Sequence, residues 1–327
     1  MSILHEMLDG VRTVVILGHV RPDGDCAGSC LGLYHYLSEH YPEISAEVFL
    51  EPLSEKFSYL TDFEKVKSDI PPKACREFDL CVTLDASDKG RLGAFLPYLE
   101  RAKKSFCVDH HVTNSGFATV NVIEPEASST CEVLYTLLEP ENISEPTAEC
   151  LYTGLVHDTG VFKFSCTSPK TMQIAGELMA KGIPFGWIID ESFYKKTYVQ
   201  NQILGRTLLE SVTFLHGFCI FSAVRMKDMQ FYGVDSKDLD GIVEQLRLTD
   251  GVECAIFLYE TNVREFKVSM RSKNIVDVSK VASYFGGGGH RFAAGCTLNG
   301  SIHDVINNLS GHIERQLIEA GALCITE

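Results

Sequence analysis

Short apolar runs that end in acidic or imidazole side chains constrain this chain more than any other feature. Leu80-Cys-Val-Thr-Leu84 and Ser105-Phe-Cys-Val108 read as buried strands that deliver Asp85 and the run Asp109-His110-His111 to one edge of a sheet. A carboxylate at the end of a buried strand must find a cation or several donors, so such endings are easier to explain as a site than as core. Two further clusters have the same character: His19-Val-Arg-Pro-Asp23-Gly-Asp25 after the strand Thr13-Val-Val-Ile-Leu17, and His157-Asp158-Thr-Gly160 after a helical run beginning near Thr147. Four separated segments thus supply hard oxygen donors and imidazoles, as a two-metal site requires.

A chain of 327 residues is long enough for two ordinary domains, and 45% hydrophobic content fills their cores. The formal net charge of -15 disfavours capture of long duplex nucleic acid by a basic surface. It leaves room for short RNA or a nucleotide, because a local pocket of metals and arginines reverses the field where phosphate sits. The twelve cysteines form no CxxC pair, and Cys81, Cys107, Cys219 and Cys254 lie in apolar segments, the pattern of a reducing compartment. No basic region followed by a long apolar run opens the chain, and no apolar stretch reaches the length of a membrane span. A cytoplasmic protein without a membrane partner is expected.

In order along the chain, a helix over Ser2–Gly10, a strand over Val11–Leu17, a helix over Ala27–His40 and a strand over Ala46–Leu50 open an α/β domain with a mostly parallel sheet. Leu53–Asp69 reads as short helices or a covering loop, interrupted by Pro71-Pro72. After the histidine pair, Ala118–Ile123 extends the sheet margin. Ser128-Ser-Thr130 starts a helix through Leu138 with hydroxyls to cap it, and Ser168–Lys181 is a helix with Pro169 at its start and Gly182 at its end. Residues 1–187 are assigned to this catalytic domain and 188–211 to a helical connector. Residues 212–327 form a smaller mixed α/β domain, with strands near Phe218–Val224, Cys254–Tyr259 and Phe266–Met270, a helix over Leu239–Leu248, another over Val276–Phe285, and a terminal helix over Ile302–Glu319.

His19, Asp23 and Asp25 are placed in one strand-to-helix loop, where Pro22 and Gly24 let two carboxylates converge without helical spacing. An acidic helix start is the bland reading of that loop alone, and the other clusters weaken it. Two divalent cations about 3.5–4 Å apart would share a carboxylate, Asp85 or Asp158, and activate water between them. Oxygen-rich donors with imidazoles and no cysteine cluster point to Mn2+ before structural Zn2+, with Mg2+ also compatible.

These motifs closely resemble the DHH phosphoesterase family, in its nano-RNase and 3′-phosphoadenosine 5′-phosphate phosphatase branch. The matching signatures are His19-Val-Arg-Pro-Asp23-Gly-Asp25-Cys-Ala-Gly28-Ser29, Asp85, Asp109-His110-His111, Asp158-Thr-Gly160 and Gly286-Gly-Gly-Gly-His290-Arg-Phe-Ala-Ala-Gly295, the last being the mark of the DHH-associated domain. The resemblance implies one Mn2+ on His19, Asp23 and Asp85, and a second on Asp25, Asp85, His110 and Asp158. It implies that Asp109 orients the neighbouring imidazoles and that His111 contacts phosphate or protonates the leaving oxygen.

Gly286 to Gly289 read alone as a flexible loop; with His290 adjacent and Ala293-Ala-Gly295 following, a phosphate-binding turn built on Gly288, Gly289 and His290 is expected. Arg271 in Ser269-Met-Arg-Ser272 and Arg91 in Asp88-Lys-Gly-Arg-Leu-Gly93 are the candidate guanidinium contacts, each with surface solvation as its ordinary role, and Arg291 is a weaker one. The resemblance implies a Mn2+-dependent enzyme that degrades short RNA to nucleoside monophosphates and removes the 3′-phosphate of 3′-phosphoadenosine 5′-phosphate. Its alternatives are a phosphodiesterase for linear or cyclic dinucleotides such as pApA or cyclic di-AMP, a pyrophosphatase, and a metal-dependent nucleotide sensor. A homodimer is also compatible with it.

Overall fold

The run Val14 to Leu17 is buried at every position, without polar alternation. A strand of that kind must be covered on both faces, which is the rule for parallel sheets. The computed structural model, which describes residues 3–69 and 76–323, meets that requirement. The first unit runs through α1 (Ile3–Leu8), β1 (Thr13–Leu17), α2 (Gly24–His40), β2 (Ser45–Phe49), β3 (Leu80–Leu84), α3 (Leu96–Arg101), β4 (Lys104–Asp109), β5 (Val120–Ile123), α4 (Thr130–Leu137), α5 (Glu145–Asp158), α6 (Pro169–Met179) and α7 (Phe185–Ile189). Its five strands pair in parallel in the order β2-β1-β3-β4-β5.

Val14 and Ile16 face one core with Leu33, Leu134 and Leu151 from the helices, while Val15 and Leu17 face another with Phe95 and Leu99. Because all five strands run the same way, their carboxyl ends share one edge. The order reverses at β1 and β3, and the loops leaving those two strands diverge there into a crevice.

Two expectations change in this unit. The helix expected from Ala27 begins at Gly24, with Asp23 as its N-cap accepting from the Asp25 and Cys26 amides. Asp25 therefore lies in a helical first turn and not in the loop, because the Asp23 carboxylate satisfies the free amides that would otherwise fray. The Pro71-Pro72 interruption and Ser2 lie outside the described residues. Two 3-10 turns, Glu55–Phe57 and Phe63–Lys65, occupy the stretch before it.

The second unit contains α8 (Tyr198–Leu209), β6 (Val212–Phe214), β7 (Cys219–Val224), α9 (Met226–Tyr232), α10 (Ile242–Arg247), β8 (Cys254–Asn262), β9 (Glu265–Ser272), α11 (Val278–Tyr284), β10 (Gly288–His290), β11 (Ala293–Asn299) and α12 (Ile302–Glu319). The sheet order is β10-β11-β9-β8-β7-β6, with only β7 and β8 parallel among the described strands. One face packs against α11 and α12 through Val268, Met270, Val281 and Leu309; the other is covered over β7 and β8 by Ile203, Ile242 and Leu246. The division between units falls at Lys195/Lys196. Ile188 is buried in the core of the first unit and Ile203 in that of the second, so the two ends of the stretch between them are packed.

Candidate metal centre

Asp85 leaves β3 with φ +57, a left-handed conformation that aspartate tolerates better than most residues. Its amide donates to the Val108 carbonyl at 3.2 Å, which ties the end of β3 to the end of β4. The side chain is buried and its two oxygens divide. Oδ2 lies 3.2 Å from His19 Nε2, while Oδ1 lies 3.7 Å from His110 Nε2, 3.7 Å from His111 Nδ1 and 3.1 Å from the Thr130 hydroxyl. Asp85 therefore faces both imidazole groups, whereas Asp158 faces His110 alone among them, at 3.1 Å.

The remaining expected ligands converge from different elements. His19 follows β1 with its Nδ1 on the Val20 carbonyl, leaving Nε2 for Asp85 and, at 3.6 Å, for Asp23. Asp158 is the last residue of α5. Asp25 is fully buried and accepts the Thr130 and Cys131 amides at 2.6 and 2.9 Å, so a carboxylate on α2 occupies the N-terminus of α4, where backbone dipoles favour negative charge. Ligand atoms of Asp25, His110 and Asp158 lie within 4.8 Å of one another, as do those of Asp85, His110 and His111, and those of His19, Cys26 and Asp85.

Cys26 was absent from the expected donor set. Burial pushes its thiol well up, so it stays a neutral sulfur beside a carboxylate-rich cluster.

The electrostatics of the cluster favour bound positive charge. Burial and the charges of Asp85 and Asp158 raise the Asp25 pKa, and burial raises Asp85 likewise. Burial would lower His19 and His110, yet hydrogen bonds donated to Asp23 and Asp85 carry His19 up to about 12, and the bond to Asp158 carries His110 up to about 10. Burial opposes ionisation of Asp23 too, but its bond to His19 brings it down to about 2. Crowded carboxylates that pull protons onto neighbouring imidazoles are groups a divalent cation would relieve, and oxygen-plus-imidazole donors suit Mn2+ or Mg2+ chemistry.

Asp109 is fully buried and holds no place in these ligand groups. It accepts from His111 Nδ1 at 2.8 Å and Asn114 Nδ2 at 2.7 Å, which outweigh burial and lower its pKa. The bond in turn raises His111 and turns its Nε2 away from Asp109. His111 is more exposed than His110, at 38% against 18% for the side chains.

Asn114 also donates to the Ala86 carbonyl at 3.1 Å, locking the loop after β3 to the loop after β4. Neither Asn114 nor Thr130 was expected at the site; Thr130 reads in sequence only as a helix-start hydroxyl. His157, beside Asp158, is not a donor to the cluster. Its ring packs against Phe57 and Phe193, and burial lowers its pKa to about 4. A Cβ on Gly24 would sit 2.2 Å from that ring, so the glycine clears space for it.

Arg91 contributes its carbonyl to the Val20 amide at 2.7 Å, bracing the His19 loop, while its guanidinium has no ion-pair partner among the described residues. Of the other expected contacts, Arg271, His290 and Gly288 share one face of the second sheet, while Gly289 pairs with Ala294 in a row of the opposite face. The pairings His290 with Ala293 and Ala293 with Arg271 put all three in one row across β10, β11 and β9. Gly288, Gly295 and Ser269 make the next row on the same face.

Along β9, Phe266, Val268 and Met270 point into the core, leaving Lys267, Ser269 and Arg271 on the opposite side. Gly288 and Gly289 belong to a strand of a hairpin, not to the turn expected from the glycine run. Gly287 and Gly289 pass so close to β11 that a Cβ would meet the Gly295 and Ala293 carbonyls at 2.2 and 2.5 Å. Arg291 is exposed and lies over Phe292.

Comparison with known proteins adds sequence and fold relatives to this geometry. Residues 13–155 match the DHH family, N-terminal domain, and residues 218–319 match the DHHA1 domain. A bifunctional oligoribonuclease and PAP phosphatase NrnA from Thermus thermophilus is 30% identical over 99% of this chain and 96% of its own length. The protein of the same description from Bacillus subtilis is 26% identical over 88% and 89%. A crystal structure of an exopolyphosphatase-related protein from Bacteroides fragilis shares the fold, with a TM-score of 0.83 and 23% identity over 95% of this chain and 94% of that one.

Proposed function

Because this chain belongs to the DHH family, with a DHHA1 domain following its DHH domain, we propose that it is a Mn2+-dependent phosphoesterase of short RNA. In this reading it degrades short oligoribonucleotides to nucleoside monophosphates and removes the 3′-phosphate of 3′-phosphoadenosine 5′-phosphate. The two NrnA relatives support the substrate class. The observation that carries the reading is the division of the Asp85 oxygens between His19 and the His110–His111 pair.

We assign His19, Asp23 and Asp85 to one ion, and Asp25, Asp85, His110 and Asp158 to a second, with Mg2+ as the alternative metal. Bound there, the pair would lower the pKa of water and polarise the phosphoryl oxygens. The chain supplies the rest. The Thr130 hydroxyl fixes the Asp85 carboxylate and the Thr130 and Cys131 amides fix that of Asp25, so that the ligand positions are preorganised. Asp109 holds His111 by Nδ1, raises its proton affinity and leaves Nε2 to deliver a proton to the departing nucleoside oxygen.

Arg271, His290 and the amides of Gly288 and Gly289 are assigned to substrate phosphate, and Arg91 to a further phosphate contact near the His19 loop. Residues 1–187 act as the catalytic domain, 188–211 as the connector and 212–327 as the substrate-binding domain. The ten described cysteines are free thiols, which accords with work in the cytoplasm. No described helix is long and apolar enough to cross a membrane.

The test is product analysis with Mn2+ and 5′-labelled dinucleotide, trinucleotide and longer RNA, alongside 3′-phosphoadenosine 5′-phosphate and cyclic di-AMP. Mononucleotides should accumulate fastest from the shortest linear substrates. No mononucleotide from any short RNA rejects the assignment.

A further inference from the structure

The chain carries 44 acidic against 29 basic residues, so an exposed cation ordinarily finds a carboxylate nearby. Three cations of the second unit have acids near them and yet form no ion pair among the described residues. Arg225 precedes α9, Lys227 lies in its first turn, and Arg264 occupies the turn between β8 and β9 with φ +57. None of the three is in an ion pair among the described residues, although they line a single cavity of about 400 Å³ together with Glu260, Phe266 and Ile302.

The acid within that cavity is already engaged. Glu260 accepts the Met226 amide at 3.0 Å with one oxygen and the Arg264 amide at 3.2 Å with the other, so it clamps the two cation-bearing segments by their backbones, and its one charge is outnumbered by the three cations. Gly300 donates its amide to the Arg264 carbonyl at 2.8 Å and ties in the start of α12. The nearby acids bond elsewhere as well: Asp304 accepts from the Ser301 hydroxyl and amide, which hold its carboxyl down with help from Arg264, and Asp228 pairs with Arg206. The walls are thus fixed by backbone hydrogen bonds while the charged heads remain unpaired. That arrangement is stable only if solvent or an anion serves them.

We infer that this cavity is a binding site for a small phosphate monoester, with Arg225, Lys227 and Arg264 on the phosphate and Phe266 and Ile302 against its organic body. A volume of 400 Å³ exceeds what inorganic phosphate fills and lies within the range of small-molecule sites. The site is separate from the Arg271–His290 face. Phe266 and Arg271 are five residues apart on β9, about 17 Å at strand rise, and they point to opposite sides of the sheet. Only the choice of a nucleoside monophosphate as the first ester to try rests on the proposed function.

The experiment is calorimetric titration of AMP into the full-length protein, with inorganic phosphate as the comparison. AMP should bind to the Arg271→Ala/His290→Ala variant, and more tightly than inorganic phosphate. Arg225→Ala/Arg264→Ala should weaken that component at least tenfold while leaving turnover of a dinucleotide without AMP within twofold.

Lys227→Glu, an exposed substitution, gives a second reading should the double variant unfold, and should weaken AMP binding in the same direction. Loss of all AMP binding in the Arg271→Ala/His290→Ala variant, or unchanged affinity in the Arg225 and Lys227 variants, overturns the site. Failure of the RNase reading would appear separately, as absent hydrolysis.

Discussion

Asp85 shows what one residue's backbone does for a site. A left-handed turn at the end of β3 puts a single carboxylate between two imidazole groups, and Thr130 and Val108 hold it there. Asn adopts the same backbone region readily, so Asp85→Asn changes charge and leaves the conformation. Turnover of a dinucleotide should fall at least about 100-fold, and bound Mn2+ measured by elemental analysis should drop, with the circular dichroism spectrum preserved. Near-normal turnover with full metal content would remove Asp85 from the centre.

Asn114 makes a different point at the same scale. It lies three residues past the histidine pair and sets Asp109, yet an asparagine in a loop carries no signal of its own in one sequence. Its contacts to Ala86 and Asp109 exist only after β3 and β4 are neighbours.

At the scale of elements, the crossing of α2 and α5 decides where Asp25 sits. A Cβ on Gly28 would meet the Cys150 carbonyl at 2.3 Å, and one on Gly154 would meet Cys131 Sγ at 2.3 Å and Asp25 Oδ1 at 2.6 Å. The two glycines therefore let the helices approach closely enough to present Asp25 to the N-terminus of α4. Gly154→Ala should cost about 1–3 kcal/mol in a denaturant melt, as overpacking does, and should also weaken Mn2+ binding by displacing Asp25. Loss of stability with unchanged metal affinity would mean that the helices give way without moving the carboxylate.

Asp79 fastens the sheet at its opposite end. Lys103 first, and then the Arg12 and Thr13 amides, hold its carboxyl well below the ordinary range. A pKa depressed in the folded state stabilises the fold above the unfolded carboxylate pKa, and that contribution is lost as pH falls through the folded value. Asp79→Asn should accordingly lower the urea midpoint at pH 7, with the gap to wild type narrowing as pH drops below about 4. A constant gap across that window would assign the effect to something other than the charge.

For the whole molecule, the buried, mutually repelling carboxylates predict a fold that is more stable when loaded with metal. Stripping with a chelator should lower the melting temperature, and Mn2+ should restore it. An ion at a hundredfold excess over its dissociation constant contributes about 2.7 kcal/mol per site. Asp85→Asn should lose most of that metal-dependent rise. A melting temperature indifferent to chelator and Mn2+ would mean that the cluster takes up no ion with useful affinity.

The sequence by itself determined the parallel α/β unit, because apolar runs without alternation need cover on both faces, and it determined that acids and imidazoles stand at strand and helix ends. It also marked Arg271 and His290, although nothing in their spacing says that they occupy one row of a sheet. Tertiary structure decided the remainder: that Asp25 is helical and seated on another helix's amides, that Gly288 and Gly289 of the glycine run join an edge strand, and that His157 turns away from the cluster while Asp158 beside it faces His110. Those outcomes depend on which segments become neighbours. Local pattern fixes periodicity and burial, whereas the partner of a buried polar atom is chosen only when distant parts of the chain meet.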